Sequence, residues 1–171
     1  MKLRQMAVAL LFNSKEEMLF IQKKKKDSLF KDLFLPIGGH MEYGEMNDPH
    51  KACLREIEEE TGLKEDVLNE LRLKYIVLRM KALQEVRMQY VFVGNVLPGV
   101  DLQESEEGSL FWCTPKSLPD HVITATTKEI IYHYQHLGAH DESTYCGSMK
   151  SNNGEPEISW SLLEDWEAIE V

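Results

Sequence analysis

Short apolar runs alternate with polar clusters along the chain, and their lengths and punctuation sort them into strands and helices. Leu3 to Phe12 and Met18 to Lys24 are apolar runs separated by Asn13-Ser14-Lys15-Glu16-Glu17, which predicts a hairpin as the first two strands. Lys23 to Asp27 begins a polar connection to Leu33-Phe34-Leu35. Beyond it, Pro36, Gly38 and Gly39 interrupt any regular pattern, so a tight loop is expected there. Asp48 can cap exposed N–H groups and Pro49 suits the first helical position, which predicts a helix running to Glu60 with Gly62 as its stop. Leu71 to Met80 and Val86 to Leu97 are rich in strand-forming residues, and Pro98-Gly99 closes the second run. After an acidic loop, Gln103 to Gly108, a short strand at Leu110 to Cys113 leads through a turn at Pro115 to Pro119. A second helix follows at Thr126 to Leu137, with Gly138 behind it.

Strands mixed with two helices, without internal repeats, predict one α/β domain over residues 1–138. Residues 139–171 read as a C-terminal extension. Tyr145 to Lys150 and Glu157 to Leu162 flank Ser-Asn-Asn-Gly-Glu-Pro, the pattern of a hairpin added to the sheet, followed by a tail. A partly disordered tail is the other reading of this stretch, and its Trp160 and Trp166 could pack on the domain or on a second subunit.

Charge narrows the partners. The 171 residues carry 29 acidic and 19 basic side chains, a net charge of −10. Such a surface disfavours a charge-driven grip on a nucleic-acid polymer or an anionic membrane, so a phosphorylated ligand needs a local cation. Cys53, Cys113 and Cys146 are too few and too scattered for a disulfide framework or a zinc site. The apolar stretch near the N-terminus is too short for a signal peptide, and no run approaches a membrane span. A cytoplasmic protein is expected, as a monomer or a homodimer.

Candidate chemistry concentrates in Gly38-Gly39-His40-Met41-Glu42-Tyr43-Gly44-Glu45 and in Arg55-Glu56-Ile57-Glu58-Glu59-Glu60-Thr61-Gly62-Leu63. On a helical wheel starting at Arg55, Glu59 falls near about 40°, Glu56 near about 100° and Glu60 near about 140°. Cys53, Leu54 and Ile57 lie opposite, and Glu58 points elsewhere, into solvent. Three carboxylates within one turn repel each other by a few tenths of a kcal/mol per pair in water, roughly, and a divalent cation would reverse that sign. Oxygen-only ligands select a hard ion, Mg²⁺ or Mn²⁺. Arg55, one turn before Glu59 and beside Glu56, could fix a carboxylate with its fork. A solvated charged helix explains the charge pattern equally well; the glycine pair just ahead of it, able to bring backbone close to a ligand, shifts the balance.

Gly39, Glu45, Arg55, Glu56, Ile57, Glu59, Glu60, Gly62 and Leu63 together resemble the Nudix box, G-x5-E-x7-R-E-U-x-E-E-x-G-U, where U is a bulky aliphatic residue. The second half matches at every fixed position. The departure lies between the halves, where nine residues separate Glu45 from Arg55 instead of seven. Met46-Asn47-Asp48 and their neighbours are expected to absorb the two extra residues. The resemblance implies an α/β/α sandwich with a mixed sheet between helices over residues 1–138, and hydrolysis of a nucleoside diphosphate linked to another group.

Carried over, Glu56, Glu59 and Glu60 would be metal ligands for Mg²⁺ or Mn²⁺, with the Gly38 carbonyl as a further ligand and Arg55 orienting the carboxylates. The general base would be Glu56 or a later loop acid. Glu107 is the loop candidate, because Glu107-Gly108 followed by Leu110 and Trp112 is similar to a segment of the oxidised-nucleotide branch. Lys23, Gly39 and His40 are candidates for touching substrate phosphate, although the run Lys23 to Lys26 is by charge pattern a solvated loop. Trp112, Phe111 and Tyr90 suit base stacking or, more ordinarily, core. The favoured substrate is a small nucleotide, a nucleoside triphosphate such as 8-oxo-dGTP cleaved to the monophosphate and pyrophosphate. ADP-ribose, a nucleotide sugar or a dinucleoside polyphosphate would be handled by the same box, and a nucleotide sensor without turnover is the remaining alternative.

Overall fold

A computed structural model describes residues 1–23, 33–114, 116–118 and 122–167. Lys24 to Lys26 of the lysine run, and Pro115 and Pro119 of the expected turn, lie outside the described residues.

The strands are β1 (Lys2–Phe12), β2 (Met18–Lys23), β3 (Leu33–His40), β4 (Leu68–Lys81), β5 (Glu85–Val96), β6 (Gly108–Cys113), β7 (Val122–Ile123), β8 (Thr144–Asn152) and β9 (Glu155–Leu163). Helix α1 is Pro49–Thr61 and α2 is Ala125–His136. One mixed sheet runs β6-β2-β3-β1-β5-β4-β8-β9, with β7 against β3. Strand β1 is parallel to β5 and antiparallel to β3, and β4 is antiparallel to β5 and parallel to β8.

Alternation along the central strands divides the apolar residues between two cores. Ala7, Ala9 and Leu11 of β1, Ile37 of β3 and Phe92 of β5 pack with Ala52, Cys53 and Ile57 of α1. Leu10, Val91, Val93, Tyr75 and Val77 point the other way and pack with Ile130 and Ile131 of α2. The result is the expected sheet between helices.

Leu33–His40 corrects the sequence reading, since the expected loop is a strand. Its first half pairs with β2, Pro36 opposite Phe20, and its second half with β1, Gly38 opposite Val8 and Gly39 opposite Ala7. Pro36 therefore sits where β3 changes partner. Gly38, at φ +137°, lies so close to β1 that a β-carbon would fall 2.3 Å from the Ala7 carbonyl oxygen. The residues that usually break strands here let one strand wedge between two others.

Helix α1 begins as expected: the Asp48 side chain accepts from the Lys51 N–H, Pro49 is in the first turn, and Gly62 closes the helix in the left-handed region. The C-terminal hairpin turns at Asn153-Gly154, both at positive φ, and adds to the sheet edge beside β4. It is anchored by polar contacts. The fully buried Lys74 ammonium donates to the Asp141 carboxylate at 2.7 Å and to the carbonyls of Asp141 and Ser143. Lys74 first, and then the Tyr145 hydroxyl, hold the Asp141 carboxyl down at about 2. Trp160 of β9 packs against Tyr75 and His133, whereas Trp166 is exposed.

Candidate active site

Helix α1 lays its carboxylate face along the end of β3. Glu60 is buried, and its Oε2 accepts the Gly38 N–H at 2.8 Å. Glu56 lies against Gly39, where a β-carbon would stand 2.6 Å from both of its carboxylate oxygens. Gly39 is thus required by the side chain it faces rather than by its own backbone. Glu59 is at the exposed rim, and Glu58 is exposed as the wheel placed it.

Two cations bind this face together. Arg55 donates from Nε and Nη2 to the two oxygens of Glu45 at 2.8 and 3.0 Å, and from Nη1 to Glu59 at 2.8 Å. The same Nη1 is 2.9 Å from Glu56, and Nη2 also donates to the His40 carbonyl. Lys23 is half-buried, and its Nζ bridges Glu60 and Glu107 at 2.6 Å each. The solvated-loop reading is therefore corrected for Lys23: β2 ends by delivering it into the acidic cluster, where two carboxylates compensate its burial.

The two residues beyond the family spacing are accommodated outside the helix. Tyr43–Glu45 forms one 3₁₀ turn, in which the Glu42 N–H donates back to the Glu45 carboxylate. Met46 to Asp48 then connect to α1, and Glu45 remains buried on Arg55. The sequence marked Glu45 as a box position but not its partner.

Electrostatics follow from this packing. Burial raises the Glu56 carboxyl, with Arg55 opposing and the neighbouring Glu60 and Glu59 adding to the rise. Burial likewise raises Glu60, against Lys23 and the Gly38 N–H. Burial lowers Lys23, but Glu107 and Glu60 outweigh it and leave the ammonium above its usual range. Arg55 holds Glu45 below the usual carboxylate range.

Glu56, Glu59, Glu60, Arg55, Lys23, Glu107, Gly38 and Gly39 are thus brought to one place. His40 is divided: its carbonyl meets Arg55, but its ring turns to the opposite side of the sheet, with Nε2 3.4 Å from Arg4 Nη1. Trp112 and Tyr90 flank the α1 core, the Tyr90 hydroxyl donating to Gln5, and Phe111 packs on Phe34. Among the described residues, no three His, Cys, Asp or Glu side chains already converge as a metal site. Lys23 and Arg55 take the carboxylate oxygens instead. In kind, however, the donor set is all oxygen, on one helix face, with mutual repulsion left between Glu56 and Glu60, and it fits a hard divalent ion.

Known proteins share this architecture. A MutT protein from Bacillus halodurans superposes with a TM-score of 0.63 at 21% identity, covering 93% of this chain and 97% of that one. An Ap4A hydrolase from C. elegans gives a TM-score of 0.66 at 17% identity, covering 81% and 99%. The NUDIX domain of Shewanella oneidensis NrtR, complexed with ADP ribose, gives 0.62 at 14%, covering 79% and 87%. No curated protein matches the sequence. The family described as NUDIX domain matches residues 2–134, and the chain accordingly belongs to that family, whose hydrolases act on phosphoric anhydride bonds.

Proposed function

We propose that the chain is a divalent-metal-dependent pyrophosphohydrolase of a nucleoside diphosphate linked to another group, with nucleoside triphosphates such as 8-oxo-dGTP as its substrates. The observation that carries this reading is the gathering of Glu56, Glu59 and Glu60 at Gly38-Gly39, held by Arg55 and Lys23. A solvated charged helix would not bury two of its carboxylates against a double-glycine strand.

Glu56, Glu59 and Glu60 would hold Mg²⁺ or Mn²⁺, with the Gly38 main chain beside them. Bound there, such an ion would supply positive charge against the pyrophosphate and would ease removal of the proton from the water that attacks phosphorus. Arg55 keeps Glu56 and Glu59 in one orientation through its fork. Glu56 takes the proton of the attacking water, its burial having raised its carboxyl toward the working range of a base. Glu107, exposed and tied to Lys23, is the loop acid that takes that role if Glu56 is fully engaged as a ligand. Lys23 supplies the local cation that a chain of net charge −10 needs for a phosphate.

The division at residue 138 belongs to the same reading, with residues 139–171 an extension whose hairpin, β8 and β9, packs on the α2 face.

The test is hydrolysis of 8-oxo-dGTP, ordinary dNTPs, ADP-ribose, nucleotide sugars and dinucleoside polyphosphates with Mg²⁺, Mn²⁺ or chelator, beside the Glu59→Gln protein. Metal-dependent release lost in that variant supports the hydrolase, and the preferred substrate identifies the branch. Nucleotide binding without turnover across the panel would overturn it in favour of a sensor.

A further inference from the structure

On the α1 side, β1, β5 and β4 carry an apolar surface that the proposed chemistry does not use. Leu3 stands opposite Val86 and Gln5 opposite Met88, and in the next pair of strands Met80 stands opposite Val86, Leu78 opposite Met88 and Ile76 opposite Tyr90. The ladder is unbroken here and Tyr90 borders the α1 core, so all of these residues face that side of the sheet. No ionised side chain interrupts them. The charges of the same segments, such as Arg4, Arg79 and Arg87, sit at the alternate positions and face the other way.

This apolar face is open. Val77, on the α2 side, is 1% exposed, whereas Ile76 and Leu78 on either side of it are partly exposed, and Met80 is 49% exposed. Among the described residues, Leu3, Ile76, Leu78, Met80, Val86 and Met88 pack into neither core. A sheet with one face in water ordinarily turns its polar residues to that face, and contiguous exposed apolar surface marks a contact site. Its polar members are already bonded. The Tyr90 hydroxyl donates to the Gln5 amide oxygen, and the Gln5 amide nitrogen donates to the Met46 sulfur at 3.4 Å. Met46 belongs to the lengthened connection ahead of α1, so that connection borders this face. The far flank of α1 forms its wall: the His50 ring packs edge-on against Phe92 of β5, and Leu54 and Glu58 follow His50 at successive i,i+4 positions, Leu54 partly and Glu58 fully exposed.

We infer that this face takes an amphipathic helix of a partner protein, laid beside α1 with its apolar side on the sheet and its basic side outward. Helix α1 covers β3 and β1 and reaches only to β5. The next strands, β5, β4 and β8, span two strand spacings, roughly 10 Å, which is the diameter of one helix with its side chains. Strand β8 places the small Cys146 and Ser148 opposite Ile76 and Leu78, so the floor stays flat. Met46, Met80 and Met88 supply unbranched side chains that adapt to the surface of a helix. A second copy of the chain fits less well. The footprint, roughly 10 Å by roughly 14 Å, is a small part of the ~800 Å² per partner that a stable dimer buries, and both copies would carry −10. The same charge, with Glu58 on the wall, favours basic residues on the outer side of the helix and disfavours an anionic membrane.

The probe is a stapled, fluorescent helical peptide with leucines at i, i+3, i+4 and i+7 and lysines on its other side, followed by anisotropy in chelator and without nucleotide. Expected are saturable binding by the wild type, at least tenfold weaker binding by Leu78→Lys and by Met88→Lys, and at least tenfold weaker binding of a peptide of the same composition in scrambled order. Replacing the peptide lysines by glutamates should weaken binding several-fold. Methyl spectra of the wild type give a reading that does not depend on a variant folding: the Met80 and Met88 signals should shift on adding peptide, while that of the fully buried Met18 stays in place. Equal binding of the scrambled peptide, or Met80 and Met88 signals that do not move, would overturn the site. So would a wild-type dimer in sedimentation that Leu78→Lys dissociates, which makes a second copy the occupant, or binding to neutral lipid vesicles that Leu78→Lys abolishes, which makes it a membrane. Neither metal nor nucleotide enters these measurements, so their outcome is independent of the proposed hydrolysis.

Discussion

The Glu56 carboxylate occupies the space that a side chain at Gly39 would need: a β-carbon there would lie 2.6 Å from both of its oxygens. Its neighbour Gly38 is constrained differently, by backbone: a β-carbon there would lie 2.3 Å from the Ala7 carbonyl oxygen, and its φ is +137°. The two glycines therefore answer to different requirements, and alanine separates them. Gly39→Ala displaces the end of one side chain and is expected to cost about 1–2 kcal/mol in stability, with activity lowered by a hundredfold or more. Gly38→Ala must move β1 and is expected to cost about 3 kcal/mol or more. Urea unfolding beside a turnover assay checks both.

Arg55 and Glu45 form the other fixed relationship at the site, a two-point contact that buries the Glu45 carboxylate. Arg55→Met leaves that carboxylate unpaired apart from the Glu42 N–H, and is expected to destabilise the fold by about 2–4 kcal/mol, the low end allowing for the part exposure of Arg55. Glu45→Gln on that background should recover part of the loss, with a coupling of about 1–3 kcal/mol in a double-mutant cycle. Additive effects would mean that Glu45 is held by its 3₁₀ turn alone.

Much of this was legible in the sequence because it is periodic or local. The wheel of α1 separated Glu56, Glu59 and Glu60 from the apolar residues and from Glu58, and Asp48, Pro49 and Gly62 marked the helix ends. Asn153-Gly154 marked the terminal hairpin. What failed was non-local. Pro36, Gly38 and Gly39 have the local signature of a turn, and only the closeness of β1 on one side and Glu56 on the other makes a strand of them. Lys23 looked like the first of four solvated lysines, and its partners Glu60 and Glu107 lie 37 and 84 residues away. Lys74 gave no signal inside an apolar strand, because the groups that satisfy it, at Asp141 and Ser143, belong to a connection formed much later in the chain.

Metal binding should register in stability through the same carboxylates. Glu60 and Glu59 add to the burial that raises the Glu56 carboxyl, and a divalent ion relieves that repulsion. Mg²⁺ or Mn²⁺ at millimolar concentration is expected to raise the unfolding temperature of the wild type by several degrees, reversed by chelator. In Glu60→Gln the metal-dependent rise should disappear, while Glu58→Gln, exposed on the far side, should keep it in full. A rise preserved in Glu60→Gln would place the ion elsewhere.

The last expectation concerns pH and lies far from the site. His133 is buried, its Nδ1 3.2 Å from the Tyr75 hydroxyl and its ring 4.6 Å from that of Trp160. Burial, and then the nearby Lys74 ammonium, lower it from 6.5, with Asp141 opposing more weakly. A histidine lowered in the folded state takes up its proton first in the unfolded chain. Its contribution is therefore complete above pH 6.5 and is lost as pH falls through the folded value. The slope approaches at most about 1.4 kcal/mol per pH unit. Asp141 does not interfere, since its own loss begins only below its ordinary value of 3.8, on the way down to about 2. Glu56 and Glu60, raised by burial, act in the opposite direction at acidic pH and are the same in wild type and variant. Urea titrations of wild type and His133→Phe between pH 5 and 8 isolate the histidine by difference. The variant, which keeps a ring in the same packing, should gain on the wild type steadily as pH drops below 6.5, and a constant difference would show that His133 keeps its ordinary titration in the fold.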